Sequence, residues 1–194
     1  MEACSVLRMP ENWDTLCLEK DDCIPGMKRI ADAVHRYPAV TLVQIMLTGL
    51  STMTESRIDE ITRTDFLRYK NAFVSAAFRC QAAGFDGIEL HAAHGMYLDE
   101  VVETSERMDE YGGSFENRVR LLAELIAEIR KKCGKDFIIA VRFGNPNYEE
   151  LLKKQQMPFK QQAAICWMYL PVWDAIQMCP LALHMMGRFT QCPS

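Results

Sequence analysis

The stretch GFDGIELHAAHGMYLDE, residues 84–100, sets His91 and His94 three residues apart where an apolar run ends. Neutral imidazoles donate hydrogen bonds to electron-rich oxygens, so two of them just past a strand end could clamp and polarise a substrate carbonyl. The same pair is equally compatible with two histidines satisfied by loop backbone. A zinc site needs a further ligand, and neither an H-E-x-x-H helix nor a Cys or His partner at useful spacing accompanies them. Nucleophilic catalysis needs a Ser or Cys beside the imidazole, and no G-x-S-x-G turn is present. No metal ligation is therefore expected.

Two further polar side chains fall at comparable places. Gln44 lies in VTLVQIM and Arg142 near the end of DFIIAVRF, each within a short apolar run. Taken singly, Gln44 reads as a satisfied amide and Arg142 as a snorkelling or ion-paired side chain. An arginine beside an apolar strand is nevertheless costly unless something negative or electron-rich meets it. Parallel strands joined by helices all end on one edge of their sheet, where such proteins build sites. Gln44, His91 and Arg142 are therefore expected around a shared pocket.

The intervening sequence supplies the elements this requires. IPGMKRIADAVHRY, residues 24–37, places Met27, Ile30, Ala31 and Val34 on one helical face, with Pro25 in the first turn where its missing N–H costs little. A second helix is predicted from about 66 to 83, with Phe73, Ala76, Ala77 and Cys80 inward and Gly84 as its stop. A third starts behind Ser114 as N-cap, buries Val119, Leu122, Ile126, Ile129 and Cys133, and stops at Gly134. VTLVQIM, FDGIEL and DFIIAVRF are the strands among them. This alternation predicts an α/β protein whose parallel sheet is covered on both faces. Beyond residue 157 the rhythm stops, and a helix over 160–170 is the element expected there.

At 194 residues the chain suits one ordinary domain and is short for the larger enzyme barrels. A net charge of −4 and the lack of a Lys/Arg cluster speak against nucleic acid or an anionic membrane as partner, leaving small molecules or other proteins. None of the eight cysteines forms a C-x-x-C pair, so no zinc-ribbon or iron–sulfur spacing is present, and free thiols in a reducing cytoplasm are expected. The first residues lack the apolar core of a secretory signal. The most apolar stretch, 163–186, is broken by Pro171, Asp174, Gln177, Pro180 and His184.

AGFDGIELHAAHG and DEYGGSFENRVRLL, together with IPGMKRIADAVH and the strands holding Gln44 and Arg142, resemble the old yellow enzyme family of FMN-dependent NAD(P)H oxidoreductases, the NADH:flavin oxidoreductases. The resemblance implies an incomplete TIM-type (β/α) barrel over 22–144, about three consecutive βα units, between a lead-in at 1–21 and a divergent tail at 145–194. It implies FMN as cofactor and NAD(P)H as reductant, with hydride passing through the flavin to the alkene of an α,β-unsaturated carbonyl, an enone or enoate. Position by position, His91 and His94 match the pair that binds the carbonyl oxygen, and Gln44 matches the glutamine contacting the isoalloxazine ring. Arg142 matches the arginine on the flavin's N1 side, where positive charge stabilises the reduced ring. The proton-donating tyrosine that many members carry two residues after the second histidine is displaced by one. Met96 stands at that place, and Tyr97 follows as the candidate donor. Because a complete barrel needs about 250 residues, the alternative expectation is an inactive piece of barrel that at most self-associates through exposed edges.

Overall fold

The structure is a computed structural model, and it describes residues 1, 3–8, 15–50, 57–104, 106–144 and 164–167. Strands β1 (Cys4–Ser5), β2 (Leu42–Met46), β3 (Gly87–Ala92), β4 (Ile138–Phe143) and β5 (Ala164–Trp167) form one parallel sheet in chain order. Helix α1 (Ile24–Val34) connects β1 to β2, and α2 (Arg63–Ala82) lies between β2 and β3. Between β3 and β4 come α3 (Tyr97–Glu103), α4 (Phe115–Arg118) and α5 (Arg120–Cys133).

Sequential order decides where the helices go. Parallel crossovers are almost always right-handed, so strands added one after another in the same direction send every crossover helix to the same side. Burial agrees. Val43 and Ile45 pair in register with Ile88 and Leu90, which pair with Ile139 and Val141, and all six are fully or almost fully buried. They share one core with Phe66, Phe73 and Cys80 of α2 and Leu122, Ile126 and Ile129 of α5. The opposite face carries Gln44, Glu89, His91 and Arg142. The sheet is thus an arc of a (β/α) barrel, and the expectation of helices on both faces is corrected: the second face is the barrel interior.

The helix ends follow local chemistry. Thr62 and Asp65 close a capping box, Asp65 N–H donating to Thr62 Oγ1 (3.3 Å) and Thr62 N–H to the Asp65 carboxylate (2.9 Å), which starts α2 ahead of the predicted residue 66. At its other end Phe85 N–H reaches the Cys80 carbonyl and Gly84 N–H the Gln81 carbonyl, with Gly84 at φ +90°. That Schellman arrangement needs the left-handed residue that glycine supplies most cheaply. Ser114 caps α4 through Asn117 N–H (3.3 Å), as expected, although the helix predicted from there to Gly134 is interrupted at Val119.

Two differences concern the sheet's margins. Cys4–Ser5, within the segment read as a lead-in, adds β1 beside β2, because its backbone finds ladder partners at Ile45 and Met46. Two residues are too few to leave a periodicity. Within the predicted helix 160–170, residues 164–167 instead form β5, paired parallel with Ala140 through Phe143. A short apolar run does not distinguish helix from strand, and the unpaired N–H and C=O groups of β4 favour the strand. The remainder of that expected helix lies outside the described residues, as do 168–194. Among the described residues, no helix is long and apolar enough to cross a membrane.

The DEYGG segment proves to be a brace. The Arg107 guanidinium is buried, paired bidentately with Asp109 (2.8 and 2.5 Å), bonded to the Ile58 carbonyl (2.6 Å) and held over the Phe66 ring at 4.5 Å. Tyr111 stacks on Phe66 with centroids 4.4 Å apart, and its hydroxyl donates to Glu124 of α5, which also pairs with Lys70 of α2 at 2.9 Å. A side chain at Gly112 would collide with the Arg107 carbonyl. The motif ties α2 to α5 at the top of the sheet.

Candidate active site

His91 and Arg142 sit opposite one another in the β3–β4 register, and Gln44 sits opposite Glu89 in the β2–β3 register. All four face the barrel interior. His91 and Arg142 occupy the penultimate positions of their strands, whereas Gln44 is in the middle of β2, one inward-facing step nearer the N-terminal end. The structure therefore brings the predicted Gln44, His91, His94 and Arg142 to one face, with Gln44 deeper than a strand-end position.

Immediately after β3 the chain turns through two left-handed residues, His94 (φ 60°) and Gly95 (φ 69°). Non-glycine residues rarely adopt this conformation, and here it is held by the Gly95 N–H donating to the Asp99 carboxylate (2.9 Å). The turn folds His94 Nδ1 back to within 3.3 Å of His91 Nε2, the rings meeting edge to face at 5.1 Å. The β2 loop supports it from the side. Tyr97 N–H donates to the Leu47 carbonyl (2.9 Å), Leu50 N–H to Glu100 (2.7 Å), and a side chain at Gly49 would strike the Gly95 carbonyl. Asp99, partly buried, has its carboxyl pKa raised by that burial.

His91 is buried, and its pKa is pushed down to about 4, chiefly by burial and then by His94 and Arg142. Its ring is therefore neutral at pH 7, as a hydrogen-bond clamp requires. Its Nδ1 has no partner among the described residues although it is buried. Arg142 makes no ion pair among them either. A buried imidazole nitrogen and a half-buried guanidinium on one interior row are suited to an electron-rich, oxygen-bearing ligand, and an FMN ring with a bound carbonyl fits that donor set.

The low His91 pKa has a measurable consequence. An unfolded histidine titrates near 6.5, so between about pH 4 and 6.5 the unfolded chain binds more protons than the native one. Stability contributed by neutral His91 is thus full above that window, is lost as pH falls through it, and levels off below pH 4. Urea midpoints measured at pH 7 and pH 5 should drop more for the wild type than for His91→Gln; equal drops would show that His91 is not the group responsible.

Tyr97 does not join this group. It is fully buried against Tyr69 (5.0 Å, edge on), Phe66 (6.3 Å) and Phe73 (6.5 Å) of α2, and its hydroxyl has no partner among the described residues. Burial drives its phenol pKa well above the usual value. The expectation of Tyr97 as proton donor is therefore corrected. The one-residue slip that leaves Met96 at the donor position turns the tyrosine to the core side of α3, where apolar burial outweighs exposure of the ring. Tyr97→Phe removes an unsatisfied hydroxyl and should leave the urea midpoint unchanged or raise stability by up to about 1 kcal/mol. A tenfold loss of flavin-dependent turnover in this variant would reinstate the tyrosine.

Sequence reasoning also passed over Glu89 and Asp99. Glu89 had a signal, since alternation along GIELHA puts it on the same face as His91 and leaves an acid in an apolar strand. Asp99 had none, because its role depends on a turn visible only in three dimensions.

An arc of a (β/α) barrel with imidazole, amide and guanidinium groups on its interior face is the arrangement on which barrel enzymes build their sites. The NADH:flavin oxidoreductase / NADH oxidase family model matches residues 51–184, and the chain belongs to that family of oxidoreductases, which works with FMN and NAD(P)H. The match runs past Gly144, beyond the motifs that carry the sequence resemblance. The NADH oxidase of Thermoanaerobacter brockii is 33% identical over 165 residues, 73% of this chain and 25% of that protein. The cinnamate reductase of Clostridium sporogenes is 44% identical over 87 residues, 43% of this chain and 13% of that protein. Among solved structures, the old yellow enzyme homologue of Zymomonas mobilis superposes with a TM-score of 0.62 at 26% identity, covering 73% of this chain and 48% of that one. The chain thus spans a quarter or less of both curated relatives and about half of the solved barrel.

Proposed function

We propose that the chain carries the carbonyl-binding and flavin-facing part of an old-yellow-enzyme-type site, serving hydride transfer from NAD(P)H through FMN to an activated alkene, an enone or enoate. The observation that carries this reading is the neutral, buried His91, its Nδ1 without a partner among the described residues, in contact with His94 and in register with Arg142. The names of relatives point the same way, one being a cinnamate reductase and another an alkene reductase/demethylase.

In this site His91 and His94 hold the carbonyl oxygen and draw electron density from the conjugated alkene, which makes its β-carbon the hydride acceptor. Arg142 on β4 would supply positive charge to the ring, and Gln44 on β2 would meet it from the other side of β3. Bound FMN would supply the hydride chemistry between NAD(P)H and the alkene, with Gln44 and Arg142 as the residues that would hold its ring. With Tyr97 in the core, this chain's proton for the α-carbon comes from solvent or from an acid other than that tyrosine. The protein is expected to act on small molecules, without nucleic acid or membrane, and in the cytoplasm.

The decisive experiment is a visible spectrum of the purified protein with FMN, followed by anaerobic addition of NADPH or NADH. A bound flavin band that bleaches and is restored by an enone supports the proposal. Failure to retain flavin favours the second reading, an inactive arc that associates through its edges.

A further inference from the structure

Resting on the flavin-site reading, we infer that Glu89 is the positioning residue for Gln44, locking its amide so that one defined edge faces the bound ring. Gln44 Nε2 donates to Glu89 Oε1 at 2.5 Å across the β2–β3 ladder, and the two residues are direct register partners on the interior face. Both are partly buried. A glutamine amide has two orientations of similar shape that exchange a carbonyl acceptor for an N–H donor. A carboxylate accepts and cannot donate, so it tolerates only the orientation that turns Nε2 toward it. The carbonyl oxygen and the second N–H of Gln44 are then left in fixed places for a ligand.

The surroundings make Glu89 suited to this and to little else. Its other register partner is Ala140, which offers no side-chain hydrogen bond, and the next inward-facing positions are His91 on its own strand and Arg142 diagonally on β4. Among the described residues it forms no ion pair, and its Oε1 accepts from the amide. Its hydrogen bond goes to Gln44, whereas the histidines bond to each other, so it is a positioning group acting through Gln44 and not a catalytic residue. Without it, Gln44 would sample both amide orientations and only one would match a given ligand edge.

Two measurements test this. In the flavin-free protein, the side-chain NH2 signals of Gln44, assigned by their loss in Gln44→Ala, should be widely split, with one proton shifted downfield and slow to exchange. In Glu89→Ala they should collapse toward the narrow splitting of a solvated amide, and in Glu89→Gln, whose amide donates as well as accepts and so admits both Gln44 orientations, the splitting should fall to an intermediate value. Unchanged Gln44 signals in Glu89→Ala would overturn the inference whether or not the chain binds FMN. For the protein with FMN, the dissociation constant read from flavin fluorescence should rise roughly tenfold in Glu89→Ala and by a smaller factor in Glu89→Gln, which still pairs with Gln44 but no longer selects one orientation. Equal FMN affinity in all three would also overturn it. Absence of FMN binding in the wild type, with the NMR signature intact, would instead refute the flavin-site reading and leave the locked amide standing.

Discussion

Replacing Phe66 by alanine should destabilise the protein by about 3–5 kcal/mol, seen as a large fall in urea midpoint with an unchanged slope. The ring is nearly solvent-free, stacked on Tyr111 at 4.4 Å and 9°, covered by the Arg107 guanidinium at 4.5 Å and tilted against Tyr97 at 6.3 Å. Its loss leaves a cavity and also strips the apolar support from a buried guanidinium, so α2 is unpinned from the DEYGG brace and from α5. Phe78, on the exposed side of the same helix at 44% exposure, is the control, and its alanine variant should cost under about 1 kcal/mol. Comparable losses in the two variants would show that the aromatic brace contributes nothing particular to the fold.

The double variant His91→Ala, His94→Ala should weaken binding of a phenol or an enone to the FMN-loaded protein by about 30–150-fold, the loss of two neutral hydrogen bonds of roughly 1–1.5 kcal/mol each. Phenols are the sharper probe, since their oxygen needs the same donors and no turnover complicates the reading. The urea midpoint of the double variant at pH 7 should change far less than that of Phe66→Ala, because both imidazoles lie on the ligand-facing side of the sheet. Titration of the flavin absorbance with the phenol measures the affinity. An unchanged dissociation constant would remove the clamp role from both histidines, and a loss confined to His91→Ala would show that one imidazole holds the oxygen while His94 only supports it at 3.3 Å.

Strand and helix were legible where a local rule had a single solution. Gly84 and Gly134 end their helices with positive φ, Ser114 caps the next one, and the strands around Gln44, His91 and Arg142 sit where their apolar runs fall. Legibility failed where partners far along the chain made the choice. β1 exists because β2 offers it a ladder, and β5 because β4 does. At the site, residue type pointed to the histidines, while the slip at Met96 carried no information about direction. Only the aromatic pocket of Phe66, Tyr69 and Phe73 shows where Tyr97 goes.

What the sequence determined by itself was therefore the family, the alternation of elements, and the residue types assembled at one sheet edge, because motif spacing, caps and periodicity are properties of neighbouring residues. The tertiary structure decided the rest. It put all helices on one side through the sequential strand order, set Gln44 one step below His91 and against Glu89 through register, held His91 neutral through burial, and withdrew Tyr97 into the core. Each of these depends on which distant groups come within a few ångströms of one another, and handedness, register and desolvation come into being only when the sheet closes on its helices.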